Sequence, residues 1–219
     1  MTNIAIIARK GGSGKTTAAV SFAIAAHLRG HKTLLVDTDP QGSSSEVLKA
    51  REGEGPGILR ATGAELRDIS ARARADSVGA MIIDTPAAVE DEIAHAIALS
   101  QLSILVIRPT FLDIAASIQT AQILRTLRKP GLILLSQAPV ARGGIEPPAV
   151  KKALEALRLM RLPVMPNILR SRAVYQTALA FGQSAEEQAP GTAAAQDLAA
   201  CWDYIERFAF GPRTQAQAS

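Results

Sequence analysis

The stretch Lys10-Gly-Gly-Ser-Gly-Lys-Thr-Thr17 stands between an apolar run at 3–8 and a helical pattern at 15–29, and few architectures accommodate such a junction. Glycine has no Cβ, so Gly11, Gly12 and Gly14 let the chain curl until several backbone N–H groups, that of Ser13 among them, point into one small space. A helix starting at Lys15 adds its positive dipole end to the same space. The combination is a phosphate cradle. In it Lys15 reaches the β- and γ-phosphates of a nucleotide, Thr16 ligates Mg²⁺, and Thr17 touches the α-phosphate. One position departs from the usual G-x-x-x-x-G-K-[ST] spacing: Arg9 stands where the first glycine belongs, and Lys10 adds a second lysine to the loop.

A strand that runs into a loop and then a helix opens a β-α-β unit, and the rest of the chain repeats that alternation. Short apolar runs predict strands at 3–8, 33–37, 80–84, 103–107, 131–136 and 162–165. Several are rich in Ile, Val and Leu without polar alternation, as parallel strands covered on both faces should be. Helical patterns fall at 15–29, 43–50, 64–75, 90–99, 111–127, 148–159, 173–181 and 185–209. The expected fold is α/β: a doubly wound, mostly parallel sheet flanked by helices, with ligands beyond the carboxyl ends of the strands. The loops at Arg9, Thr38, Thr85 and Pro109 should therefore share one end of the sheet. The stretches 51–57 and 138–148, rich in Gly and Pro, read as surface loops.

Two of those strand ends carry acids. Asp37-Thr-Asp-Pro40 follows the second strand and Asp84-Thr-Pro86 the third. An aspartate at the end of a strand beside a phosphate loop is placed to hold a Mg²⁺ shell. Asp84 is the candidate for that position, Asp37 supports the same shell, and Asp39, further into its loop, is placed to orient an attacking water.

The 219 residues form one domain, 1–210, with a polar, disordered tail at 211–219 as the expectation. A hydrophobic fraction of 47% supplies an ample core, and 4% aromatic content makes it largely aliphatic. Cys201 is the one cysteine, which excludes an intramolecular disulfide or a cysteine cage and points to a reducing compartment. With no basic leader before the first strand and no apolar run long enough to span a bilayer, the expected location is cytoplasmic. Cys201, Trp202 and Tyr204 sit in a helical apolar pattern and read as packing, and the three histidines have no metal-ligand spacing. The net charge of +4 is modest, but cations cluster at Arg125, Arg128 and Lys129, at Lys151, Lys152, Arg158 and Arg161, and at Arg170 and Arg172.

These motifs together resemble the ParA family of partition ATPases, within the ParA/MinD group. The matching stretches are 9–17, Leu35-Val-Asp-Thr-Asp-Pro-Gln-Gly42, Ile83-Asp-Thr-Pro86, and Arg172-Ala-Val-Tyr175 with Ala178 and Gly182. The chain looks like the short form of the family, with no helix-turn-helix ahead of the loop. The resemblance implies an ATP- and Mg²⁺-dependent homodimer, two subunits face to face over sandwiched nucleotides, with Lys10 as the signature lysine that reaches the partner's phosphates. It implies non-specific DNA binding in the ATP state, nucleoid association, and release by a ParB-like or other cargo-adaptor protein that stimulates slow hydrolysis. Arg172 matches a family arginine associated with DNA, and Arg170 lies beside it. Pro166 and Asn167 match the place where the family contacts adenine.

Two other readings share the loop. A MinD-like membrane-cycling ATPase needs a terminal basic amphipathic helix, and 211–219 lacks large apolar residues, so no stable membrane association is expected. A P-loop small-molecule kinase or ligase needs an acceptor site that the sequence does not display.

Overall fold

The computed structural model describes residues 1–87 and 89–211; of the tail expected at 211–219, all but Gly211 lies outside them. Strands β1 (Thr2–Ile7), β2 (Thr33–Asp37), β3 (Gly57–Arg60), β4 (Ala80–Asp84), β5 (Leu102–Ile107) and β6 (Gly131–Leu135) form a six-stranded sheet in the order β3-β2-β4-β1-β5-β6. Every pairing is parallel. The expected doubly wound α/β architecture is present, with β1 near the centre and the chain turning to the far side of it at β5. A crevice opens at that switch, beyond the strand ends.

Each strand sends alternate residues into two cores. Ile4 and Ile6 pack under α1 (Lys15–Leu28), α2 (Ser43–Lys49), α7 (Ala173–Leu179), α8 (Ala185–Gln188) and α9 (Ala193–Phe210). Ala5 and Ile7 pack under α3 (Leu66–Ala75), α4 (Glu90–Leu99), α5 (Phe111–Thr126) and α6 (Pro148–Arg158). Burial on both faces is why the strands read as continuous apolar runs. Helix α1 is buried without interruption from Ala18 to Ala26. Its alanines let it lie close to the sheet, while Phe22 meets Trp202 of α9 with ring centroids 6.2 Å apart. Trp202 and Cys201 are fully buried in that layer, as packing residues.

The structure corrects three expectations. The run at 162–165 is not a strand: Pro163 lies inside it and Pro166 directly after it, and it meets the sheet only through a bridge at Val164 opposite Ile133. Strand β3 occupies 57–60, where no strand was expected, because a short edge strand with exposed residues carries little apolar signal. The helix expected at 185–209 is two helices, α8 and α9, divided where Pro190 cannot donate a backbone bond and Gly191 turns with φ 77.

Arg51, after α2, pins this division to the sheet layer. Its guanidinium donates to Glu187 Oε1 and Oε2 at 2.7 and 3.0 Å and to the Gly182 carbonyl at 3.0 Å. Glu187 also accepts from the Ser184 N–H at 3.0 Å as the capping box of α8. Burial alone would raise the Glu187 carboxyl, but Arg51 and the Ser184 amide outweigh it and hold it below its ordinary value. A carboxyl lowered by folding stabilises the fold fully above its unfolded pKa and loses that contribution as pH falls through the folded value. Glu187→Gln is expected to cost about 1 kcal/mol at pH 7 and to flatten the wild-type loss of stability below about pH 4. Urea melts across that range measure both.

Candidate functional site

The phosphate loop runs from the end of β1 into α1, and its shape requires glycine at two positions. Gly12 and Gly14 lie in the left-handed region at φ 72 and 87, and a Cβ on Gly14 would sit 2.7 Å from Ser136 Oγ. The loop is therefore pressed onto the carboxyl end of β6. Gln137 secures it there, donating from Nε2 to the Gly12 carbonyl at 2.8 Å. Arg9, in place of the usual first glycine, turns away from the cradle and donates to Glu90 and Gln119 at 3.3 and 3.4 Å. That residue ties the loop to α4 and α5.

A cavity of about 500 Å³ opens over the loop, lined among others by Lys10, Gly11, Gly12, Ser13, Gly14, Lys15, Thr16, Thr17 and Asp39. A second, of about 400 Å³, continues behind Gly14 and Thr17, with Ser136, Arg170, Arg172 and Tyr175 in its wall. Gln137 and Gln176 border both. A larger cavity, about 960 Å³, lies instead at the other end of the sheet between β3 and α3. It contains no phosphate-binding turn and none of the expected site residues, so volume there does not mark the chemistry.

Three acids gather from strand ends beside the first cavity, with Asp39 in its lining and Asp37 and Asp84 buried behind it. Asp37 and Asp84 are register partners on neighbouring strands, and Ile6 pairs with Asp84 on the other side, which sets both carboxylates beside the end of β1. Lys15 is 7% exposed and donates to Asp84 Oδ1 at 2.9 Å. Asp84 is fully buried; burial pushes its carboxyl up, and the Lys15 ammonium opposes that. Its second oxygen, Oδ2, is buried without a hydrogen-bond partner. Asp37 is otherwise engaged: Oδ1 accepts the Asp39 N–H at 3.1 Å and Oδ2 the Ser45 N–H at 2.9 Å. It orders the β2–α2 loop and the start of α2. Asp39 accepts the Gln41 N–H at 3.0 Å and leaves Oδ2 4.0 Å from Lys15 Nζ.

The residues fit ATP and Mg²⁺ by their own chemistry. Asp84 Oδ2 is an orphaned buried acceptor next to Thr16, and Ser13 Oγ is buried with no hydrogen-bond partner among the described residues. Lys15, Thr16, Thr17 and the amides of residues 11–14 would hold the phosphates and Thr16 and Asp84 the ion. The nucleotide, when bound, supplies the phosphoryl group and the ion its neutralising charge.

Other expected site residues stand elsewhere. Lys10 is half-buried at the cavity rim and makes no hydrogen bond or ion pair among the described residues. Neighbouring Asp113 is held by Arg108 at 2.6 and 3.2 Å. Pro166 and Asn167 line neither cavity. Arg170 and Arg172 do not form an open basic patch. Arg170 donates to Glu146 at 2.6 and 2.7 Å, and Arg172 to Asp197 at 3.1 and 3.2 Å. The sequence marks Arg9 as a departure but not its tie to α4 and α5, and it does not mark Gln137, which has a signal since it follows a strand whose carboxyl end faces the crevice.

The model of the CobQ/CobB/MinD/ParA nucleotide binding domain matches residues 4–183. The maintenance of carboxysome distribution protein A of Gloeobacter kilaueensis is 30% identical over 189 residues, 83% of this chain and 82% of that protein. Among solved structures, the cell division ATPase MinD of Pyrococcus furiosus superposes with a TM-score of 0.77 at 20% identity, covering 95% of this chain and 99% of that one. A Cyanothece McdA variant in complex with ATP superposes with a TM-score of 0.75 at 18% identity over 99% of each chain. At those identities the structures speak for the fold alone.

Proposed function

The chain belongs to the CobQ/CobB/MinD/ParA nucleotide-binding family, and from that premise we propose that it is an ATP-dependent dimerising partition or positioning ATPase. The observation that carries the proposal is Lys10. A lysine at the rim of a phosphate cavity, with no hydrogen bond or ion pair among the described residues while Lys15 serves the cradle from inside, is placed for phosphates that its own loop does not hold.

In this reading ATP and Mg²⁺ occupy the 500 Å³ cavity, with the nucleoside end in the 400 Å³ cavity behind Gly14. Lys15 and the partner subunit's equivalent of Lys10 bear on the phosphates, Asp39 orients the attacking water, and Thr16 and Asp84 hold the ion, with Asp37 ordering the loop beside it. Hydrolysis is slow until a ParB-like or other cargo-adaptor protein stimulates it. The ATP-bound dimer rests on non-specific DNA, and hydrolysis releases it from the nucleoid. The cargo is plasmid or chromosomal DNA or a protein assembly; the relative named for carboxysome distribution supports the latter class. No helix among the described residues is long and apolar enough to cross a membrane.

Sedimentation is the direct test. With ATP and Mg²⁺ the protein is expected to sediment as a dimer and to retain a random-sequence DNA duplex, and with ADP to sediment as a monomer that does not. A chain that stays monomeric at saturating ATP would sink the reading.

A further inference from the structure

Four non-glycine residues among those described have their backbone in the left-handed region. Ser77, Arg128 and Arg161 follow the last turns of α3, α5 and α6, where that conformation commonly ends a helix. Gln137, at φ 51, follows a strand instead. A side chain there crowds its own backbone, and the conformation persists only where the surroundings impose it. Here both neighbours are pinned. The buried Ser136 donates its N–H to the Ile107 carbonyl at 2.9 Å. The buried Ala138 donates to the Leu169 carbonyl at 3.2 Å and accepts from the Ser171 N–H at 2.8 Å. Gln137 stands between them, exposed and turned out over the phosphate loop.

That strained residue holds both left-handed glycines of the loop. Its Nε2 donates to the Gly12 carbonyl at 2.8 Å. The same side chain lies across Gly14, where an added Cβ would stand 3.4 Å from Nε2 and 3.6 Å from Cγ. A trans peptide unit is planar, so the Gly12 carbonyl and the Ser13 N–H point opposite ways, and holding one fixes the other. The Ser13 N–H makes no hydrogen bond among the described residues and belongs to a residue in the wall of the phosphate cavity. Gly12, with no Cβ, would otherwise leave this peptide free to turn over.

We infer that Gln137 is a positioning residue for the nucleotide phosphates: its amide sets the plane of the Gly12–Ser13 peptide and keeps the Ser13 N–H presented as a donor. This rests on the reading of the loop as an ATP site and names the side chain that keeps the loop in its receiving shape. Gln137 borders both cavities, so a contact with the base is the competing assignment. The bond to Gly12 and the contact with Gly14 place the side chain on the loop, and the phosphates are what that loop serves.

The test uses the full chain, a fluorescent ATP analogue with Mg²⁺, and competition by ATP and by inorganic tripolyphosphate, which carries the phosphates and no base. Gln137→Met keeps the length of the side chain and removes the donor. It is expected to weaken ATP and tripolyphosphate alike by about tenfold, the effect of one lost hydrogen bond. Gln137→Gly removes the amide and the backbone strain together. It is expected to melt close to wild type without nucleotide and to show the same loss of both competitors. Loss of ATP affinity with tripolyphosphate unchanged would assign Gln137 to the base and overturn the inference, leaving the ATP site in place. Wild-type affinity in both variants would overturn it too. So would a Gln137→Gly chain that loses stability and affinity together, since that is the mark of a structural clamp. If tripolyphosphate fails to compete in wild type, phosphates alone do not engage the loop and the inference falls. If ATP itself fails to compete, the reading of the site falls with it.

Discussion

Lys15→Ala is expected to abolish ATP binding and hydrolysis and, less obviously, to weaken the fold by about 3 kcal/mol even without nucleotide. The reason is Asp84. It is fully buried at the end of β4, and among the described residues Lys15 Nζ at 2.9 Å is its one ion-pair partner and Oδ2 has no hydrogen bond. Removing the ammonium leaves a carboxyl in the interior that must either stay charged without compensation or take up a proton, and both are costly. For a chain of this size that loss lowers the melting temperature by roughly 10 °C. Activity should fall to background, because Lys15 is the interior cation that faces the phosphate cradle. Asp84→Asn added to Lys15→Ala separates the two effects. The carboxamide has no charge to compensate, so most of the lost stability returns while activity does not. Urea midpoints and a phosphate-release assay on the two variants check this. A single variant as stable as wild type would mean that Asp84 relaxes toward solvent, contrary to its complete burial.

That pair also marks the limit of what the sequence discloses. The phosphate loop is legible because its chemistry is local: three glycines, a lysine and a helix start must be contiguous to make the cradle. Asp84 is legible as an acid at a strand end, and the parallel register then brings it opposite both Ile6 and Asp37. Partnership is another matter. Asp37 reads as an acid that supports the same metal shell, yet its two oxygens accept the backbone amides of Asp39 and Ser45, the latter in a helix that the acid helps to start.

Arg170 and Arg172 show the same limit more sharply. Two arginines in one short stretch read as a basic patch because the residues that cancel them, Glu146 and Asp197, are 24 and 25 positions away and meet them only in the folded chain. Edge strand β3 escapes for a different reason. A strand paired on one side, with Gly57, Leu59 and Arg60 exposed, has no need of the apolar run that identifies a central strand. The run at 162–165 has that apolar character and still fails. It exchanges two backbone bonds with Ile133, and Pro163 within it and Pro166 after it have no N–H to add more.

Lys10→Ala is expected to lower hydrolysis by at least about a hundredfold while leaving ATP affinity within about threefold of wild type, the pattern of a cation delivered in trans to a phosphoryl group. The contrast with Lys15 lies in the surroundings of each. Lys15 is buried and ion-paired inside its own site; Lys10 is half-buried at the rim and has no hydrogen-bonded or ion-paired partner among the described residues. Asp113, on which Lys10 also bears electrostatically, is already clasped by Arg108. A lysine that served its own nucleotide would show its loss chiefly in binding. One that serves a second subunit loses the ATP-driven dimer and the rate together. Mixing distinguishes the two directly. Lys10→Ala lacks the donated lysine but has an intact cradle, and Lys15→Ala with Asp84→Asn lacks the cradle but still presents Lys10. Each alone should be inactive. In a mixed dimer one cradle meets one foreign Lys10, so hydrolysis should reappear on combining the two. It should rise with the concentration of the second chain, as an association requires. Activity that never returns on mixing, with ATP affinity lost in Lys10→Ala, would assign the lysine to its own subunit and remove the observation on which the dimer proposal stands.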